Sequence, residues 1–350
     1  MKIRVFSFLY RVSRYIITRI IFFTQKILFF QKDLETAVNI GDRALGSFHI
    51  FKDIIYKFPL PKNSSVDIYN LKFPSPLIGA SFKANQKIMD MWLKMGIGSV
   101  IFKTIMKDSS IGNPRPRLQE IDTIEGTGLI NSLGLPGPGI DKFLNDIVES
   151  KLWKYNRPIG ISIGGETVND YLNNINLLEA ALANIDQSYF YECNISCPNT
   201  DNGQTICEDP QSLEILLKHI RENNISKIIS IKVSPDVSNH ILYSLGEICS
   251  AYDSIIINAG NTQYKTINEI GLSRYQFSMK GGGLSGPAIF SRTKEMVKLF
   301  SNFKMPIMAT GGISSINEIN ILKDSGASLF GMATSLVLDP YIIAKINKSL

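Results

Sequence analysis

Eight short apolar runs, most of them followed by a turn and a helical pattern, limit the folds open to this 350-residue sequence. They are Pro76–Ser81, Ser99–Thr104, Ile159–Ile163, Phe190–Ser196, Ile229–Val233, Ser254–Asn258, Ile307–Thr310 and Ser328–Met332. Apolar runs without polar alternation describe strands buried on both faces, and repeated strand–helix units favour a parallel sheet. Eight such units within residues 71–350 predict an α/β chain closed into a (β/α)8 TIM barrel, a fold that commonly takes about 250 residues. A doubly wound open sheet is the alternative.

Residues 59–65 (Pro-Leu-Pro-Lys-Asn-Ser-Ser) read as a linker. Ahead of them, residues 33–57 carry a helical pattern with Gly46 as its expected break. The predicted organisation is therefore residues 1–32 as an amphipathic helix, 33–70 as a helical extension and linker, and 71–350 as the barrel.

The net charge of +6 is unevenly placed. Residues 1–32 carry +7 and no acid, whereas the other 318 residues hold 30 basic and 31 acidic side chains. A near-neutral body argues against nucleic acid as partner, and the basic tail argues for contact with something anionic. That tail is also strongly apolar, but no charge-free run in it approaches the ~18 residues of a spanning helix. At helical spacing Arg4, Arg11, Arg14, Arg19 and Lys26 share an arc of about 140°. This pattern predicts a helix lying in a membrane interface with its cations toward headgroups. A spanning or processed segment, including a transit peptide, and a plain core helix are the other readings.

Cys193, Cys197, Cys207 and Cys249 form no C-x-x-C pair, and His49, His219 and His240 stand apart. Reduced thiols, with no zinc site or disulfide scaffold, are expected. Cys197 falls just past a strand end, before Pro198 and between Asn194 and Asn199. A thiol flanked by amides suits a base or nucleophile acting on a flat polar heterocycle; a buried cysteine beside turn-forming asparagines is the plainer alternative. Ser81, Lys103, Thr104, Lys232, Asn258, Gly311, Gly312 and Thr334 also fall at strand ends, where barrels carry their chemistry. Thr310-Gly311-Gly312-Ile313-Ser314 after the seventh run and Ala333-Thr334-Ser335 after the eighth look like a phosphate cradle. The stretch Lys280–Gly286 reads as a glycine loop offering further amides.

With these residues placed, the chain from about 71 to 340 resembles the dihydroorotate dehydrogenase family. Asn194-Ile195-Ser196-Cys197-Pro198-Asn199 is similar to the family's catalytic loop. Gly112-Asn113-Pro114-Arg115-Pro116-Arg117, Ile130-Asn131-Ser132-Leu133-Gly134-Leu135-Pro136 and Gly282-Gly283-Leu284-Ser285-Gly286 match further segments in order. The resemblance implies FMN as cofactor, which takes a hydride from C6 of dihydroorotate while a protein base, Cys197, removes the C5 proton to leave orotate in pyrimidine (UMP) biosynthesis. It implies substrate contacts from Lys103, Asn131, Ser132, Leu133, Gly134, Leu135, Asn194, Asn199 and Asn258. It implies FMN contacts from Ala80, Ser81, Lys103, Thr104, Ser162, Asn194, Lys232, Ile257, Gly286, Gly311, Gly312, Ala333 and Thr334.

Two branches of the family are mixed here. The cysteine base, Lys103-Thr104 and Asn-Ser-Leu-Gly-Leu-Pro resemble the soluble class 1 enzymes. The N-terminal extension, including Phe30–Ala37, and Gly283–Gly286 resemble the quinone-reducing, membrane-associated class 2 enzymes. A class 2 reading implies quinone as acceptor and attachment to the cytoplasmic face of a bacterial inner membrane, with the mitochondrial inner membrane as the alternative. Fumarate or another soluble acceptor, or a related flavin-dependent pyrimidine oxidoreductase, is the competing function. Phe82 stands where the family commonly has glycine, and Ala259 replaces a hydroxyl residue. Oligomeric state is left open.

Overall fold

All eight apolar runs become strands of one closed parallel barrel. The computed structural model describes residues 1–47, 51–196, 206–223 and 225–350. In chain order the elements are α1 (Lys2–Ile27), α2 (Leu34–Ser47), α3 (Lys52–Ile55), β1 (Val66–Ile68), β2 (Leu71–Phe73), β3 (Leu77–Lys83), α4 (Gln86–Lys94), β4 (Ser99–Ile105), β5 (Leu118–Thr123), β6 (Gly126–Asn131) and α5 (Ile140–Val148). They continue as β7 (Ile159–Ile163), α6 (Val168–Ala181), β8 (Tyr189–Asn194), α7 (Pro210–Glu222), β9 (Ile229–Val233), α8 (Asn239–Ser250), β10 (Ile255–Ala259), β11 (Gln263–Thr266) and β12 (Gly281–Ser285). The last are α9 (Phe290–Phe300), β13 (Ile307–Thr310), α10 (Ile316–Asp324), β14 (Leu329–Met332), α11 (Thr334–Leu338) and α12 (Ile342–Asn347). The barrel order is β3-β4-β7-β8-β9-β10-β13-β14, and it closes where Phe330 of β14 pairs with Leu77 of β3.

Local sequence sets the helix starts. Asn85, Thr167, Asp209, Ser238 and Ser315 precede α4, α6, α7, α8 and α10, and each side chain accepts from an amide of the first turn. Such caps stabilise a helix by about 1 kcal/mol each. The helices bury their apolar faces against the outside of the barrel. Inside, Ile78, Ile101, Phe190, Ile256, Met308 and Leu329 form a separate cluster with Ile68, Leu71 and Phe73. The β1–β2 hairpin thus plugs the end of the barrel where the strands begin, leaving the other end for the site.

A four-stranded antiparallel sheet, ordered β11-β12-β6-β5, sits over that other end. Its hairpins are inserted after β4 and after β10. This corrects the expectation of a glycine loop at residues 280–286: Gly281–Ser285 is strand β12, paired to β11 and β6. Neighbouring backbone explains the glycines, since a Cβ on Gly282 would lie 2.5 Å from the Asn131 carbonyl oxygen.

α1 docks through a mixed face, on which Ile3, Phe6 and Tyr10 pack against the barrel core and Ile21 and Phe22 against the cluster of Leu34, Ala37 and Leu129. Its buried residues are Ser7, Thr18 and Gln25, while Val5, Phe8, Leu9, Val12, Tyr15, Ile16, Ile20, Phe23 and Ile27 are exposed. Ser7 Oγ donates to Asp339 Oδ2 at 2.6 Å, and Lys345 Nζ donates to the same carboxylate at 2.7 Å. Gln25 exchanges two hydrogen bonds with the Asp33 backbone, which fixes the turn into α2. Arg14 does not share the outward direction expected for it; its guanidinium pairs with Glu120 of β5 at 2.5 Å. Arg4, Arg11, Arg19 and Lys26 are exposed. Among the described residues no helix is long and apolar enough to cross a membrane.

Candidate active site

The C-terminal ends of the barrel strands open into a cavity of about 1010 Å³, roofed by the four-stranded sheet and reaching α2. Of the residues expected at a site, Ala80, Ser81, Lys103, Thr104, Asn194, Lys232, Gly286, Gly311, Gly312, Ala333, Thr334 and the loop Asn131–Leu135 line it. Three do not. Ser162 is fully buried and bonds Thr104 Oγ1 at 3.0 Å, Ile257 belongs to the core, and Asn258 lies one layer beneath the wall. The Asn258 amide is committed there, donating to Glu192 Oε2 at 2.8 Å and accepting from Thr310 Oγ1 at 2.7 Å. Cys197 and Asn199 lie outside the described residues.

Among the cations on the wall, Lys103 and Lys232 belong to barrel strands β4 and β9. Lys103 reaches from β4 to the 131–136 loop, where its Nζ donates to the Pro136 carbonyl at 2.7 Å. Lys232 of β9 donates to Ser81 Oγ at 3.1 Å, and that hydroxyl donates to Glu192 Oε1 at 2.5 Å. Glu192 is fully buried in β8. A buried carboxylate needs donors and nearby positive charge, and Ser81, Asn258 and Lys232 supply them. Sequence reading passed over Glu192 because it sits inside a strand rather than at its end.

A second polar chain runs along the adjacent strands. Asn194 Nδ2 donates to Thr104 Oγ1 at 2.9 Å, Ser196 Oγ donates to Asn194 Oδ1 at 2.8 Å, and Asn261 Nδ2 donates to Ser196 Oγ at 2.5 Å. Ser196 and Asn261 also line the cavity and were not anticipated. The Asn194 carbonyl is held by the Tyr171 hydroxyl at 2.9 Å, which fixes the point where β8 leads into the Cys197 segment.

After β13, Gly311 and Gly312 take φ of +143° and +72°, values that only glycine adopts without strain. The chain there turns its backbone into the cavity beside Ala333-Thr334-Ser335. Thr334 Oγ1 is tied to Ser285 Oγ of β12 at 2.8 Å. Among the described residues, Ser132 and Ser335 each bury a hydroxyl that has no hydrogen-bond partner, and both line this cavity. Such groups are costly to bury unless a ligand meets them.

Phe82 also lines the cavity, and its ring lies 5.4 Å from Trp92, so the aromatic side chain is absorbed by stacking on α4. The thiols of Cys193 and Cys207 are fully buried, and burial pushes each up to about 12. Cys249 is likewise buried and raised. None of these three is a base at neutral pH.

Comparison with known proteins bears on this arrangement. The quinone-type dihydroorotate dehydrogenase of Actinobacillus pleuropneumoniae is 27% identical over 333 residues, covering 91% of this chain and 96% of that protein. The catalytic subunit of the NAD(+)-type B enzyme of Malacoplasma penetrans is 27% identical over 288 residues, covering 80% and 89%. A protein named putative dihydroorotate dehydrogenase A (fumarate) from Aquifex aeolicus is 28% identical over 288 residues, covering 81% and 90%. The crystal structure of DHODH from Eimeria tenella in complex with ferulenol aligns over 90% of each chain with a TM-score of 0.72 at 18% identity, a likeness of fold. The family profile described as dihydroorotate dehydrogenase matches residues 64–350, and this chain belongs to the dihydroorotate dehydrogenase family.

Proposed function

We propose that the protein oxidises (S)-dihydroorotate to orotate with bound FMN and passes the electrons to a membrane quinone. One observation carries the acceptor reading: the cavity at the barrel mouth extends to a stretch of apolar wall beside α2. Lys103 and Lys232 stand at one end, and Leu118, Leu129, Val38, Val337 and Leu338 line the other. An apolar quinone ring could approach along that wall without displacing the residues that hold the pyrimidine. The reading is supported by the reach of the quinone-type relative. Its match covers 91% of this chain, more than residues 64–350 can supply, so it extends into the helical segment.

The residues present fit FMN. Gly311-Gly312 and Ala333–Ser335 offer backbone amides and the unpartnered Ser335 hydroxyl to a phosphate. Lys232, backed by Ser81 and Glu192, supplies a cation to an electron-rich ring edge. FMN, when bound, supplies the hydride acceptor. Lys103 neutralises the carboxylate of the pyrimidine, while Asn131, Ser132 and Asn194 offer it donors and acceptors. Cys197 takes the C5 proton as the C6 hydride leaves, a general-base role that fits its place three residues after Asn194. Asn199 and Asn258 are assigned as substrate contact and supporting residue.

The exposed apolar face of α1, with Arg4, Arg11, Arg19 and Lys26 around it, supports attachment to an anionic membrane surface. In this reading residues 1–32 anchor, α2 within the 33–70 extension covers the acceptor passage, and 71–350 hold FMN. Stopped-flow measurement of flavin reduction by dihydroorotate, then of reoxidation by quinone, fumarate or NAD, tests the proposal. Faster reoxidation by fumarate or NAD than by quinone would overturn the acceptor assignment, and failure of dihydroorotate to reduce the flavin would overturn the reaction.

A further inference from the structure

The start of α2 is fastened to the segment before β5, and that segment is interlocked with the 131–136 loop. Arg117 joins all three. Its Nε and Nη2 donate in a fork to Glu35 Oε2 and Oε1 at 2.8 and 2.9 Å. Its Nη1 donates to the carbonyls of Ile111 at 2.6 Å, Asn113 at 2.8 Å and Leu133 at 3.3 Å. The two loops also bond directly: Asn113 N donates to Leu133 O at 3.0 Å, Asn113 Nδ2 to Ser132 O at 2.8 Å, and Ser132 N to Arg117 O at 2.9 Å. They approach so closely that a Cβ on Gly112 would lie 2.1 Å from the Leu133 carbonyl oxygen.

The Arg117 side chain is only 9% exposed against 42% for Arg115, which pairs mainly with Asp33 and lies 3.6 Å from Glu35 Oε2, so Arg117 is the better shielded of the two arginines that Glu35 faces. The fork neutralises one side of the guanidinium and aims the other at the loop carbonyls. Glu35 lines the same cavity as Asn131–Leu135, and the next turn of α2 brings Val38 and Asn39 to it.

We propose that Glu35 is a positioning residue which, through Arg117, holds the 131–135 loop in place for the pyrimidine and so ties substrate affinity to the docking of α2. The proposal rests on the reading of that loop as substrate-binding. Removing the carboxylate leaves a buried guanidinium without its counter-charge, and the loop whose carbonyls it holds loosens. Because coupling between sites is reciprocal, a ligand that shifts α2 on the acceptor side changes pyrimidine affinity by the factor with which the pyrimidine changes its own.

The test uses the full-length FMN holoenzyme with Glu35→Gln and Glu35→Asp. Orotate affinity is read from flavin absorbance, the limiting rate of flavin reduction by stopped flow, and loop order by hydrogen exchange without orotate. E35Q is expected to weaken orotate on the order of tenfold, the loss of one charge-assisted contact, with the limiting reduction rate unchanged. Exchange should quicken in residues 111–117 and 131–136 but not in β7 to β10. E35D, which keeps the charge, should fall between E35Q and wild type, and it serves if E35Q does not fold. Wild-type loop exchange in E35Q, exchange rising throughout the barrel, or E35D no better than E35Q would overturn the proposal. A holoenzyme that binds no orotate would overturn the substrate reading instead, with the exchange data still deciding whether Glu35 holds the loop.

Discussion

Lys232 and Glu192 meet at a single hydroxyl: Ser81 Oγ accepts from the ammonium at 3.1 Å and donates to the carboxylate at 2.5 Å. The pair sets opposite charges into one buried network beneath the cavity, with Asn258 and Thr310 extending it. Glu192→Gln removes the charge and replaces one acceptor oxygen with an NH2 group, which must then face one of the donors, Ser81 or Asn258. Loss of a hydrogen bond to a buried charge costs about 1.5–3 kcal/mol. Thermal denaturation of the holoenzyme should therefore show a lowered midpoint, and an unchanged midpoint would remove the network from the stability of the barrel.

The cysteines are expected to separate sharply. Cys193, Cys207 and Cys249 are buried with thiols raised by desolvation, so thiol reagents at neutral pH should leave them untouched in the folded protein. Cys197→Ala should abolish flavin reduction by dihydroorotate while retaining FMN, and Cys197→Ser should keep a small fraction. A base must be deprotonated to act, so wild-type reduction should speed up as pH rises toward a thiol value of about 8.5. Stopped-flow reduction in the alanine variant at the wild-type rate would exclude Cys197 as the base.

The barrel was legible because strands buried on both faces leave continuous apolar runs, as in Ile229–Val233 and Ile307–Thr310. The roof was not. β12 is built on Gly281-Gly282-Gly283, whose strand conformation comes from pairing with β11 and β6 rather than from any β-forming side chain. Strand ends pointed to Lys103, Lys232 and Asn194, yet their partners Glu192 and Ser196 became visible only when separate strands came together. Asn258 also ends a strand, and the engagement of its amide by Glu192 and Thr310 was not visible in its own segment either. Arg117 and Glu35 are 82 residues apart, and nothing local marks them as partners.

Glu35 also predicts a pH dependence. Hydrogen bonding from Arg117 holds its carboxyl below the ordinary glutamate range in the folded protein. A group depressed in this way contributes stability that is fully present above its unfolded value, about 4.3, and lost as pH falls through the lower folded value. The melting difference between wild type and E35Q should thus be constant from neutral pH down to about 5 and shrink below about 4. A difference that grows on acidification would contradict the pairing.

Deleting residues 1–30 should release the protein from anionic vesicles, because the exposed apolar face of α1 and most of the tail's positive charge go together. The barrel should stay folded but melt at a lower temperature, since its core loses the packing of Ile3, Phe6 and Tyr10 while Lys345 remains to pair Asp339. A further deletion to Lys57 removes α2, with Val38 and Asn39 from the cavity wall and Glu35 from Arg117. Two effects should then part. At saturating dihydroorotate the flavin should still be reduced at close to the full-length rate, with weakened affinity from the freed loop. Reoxidation by quinone should fall sharply, because the apolar passage has lost one side. Stopped-flow analysis of the two half-reactions distinguishes them, and full-rate quinone reduction by the doubly truncated protein would leave the helices as an anchor unconnected with the acceptor.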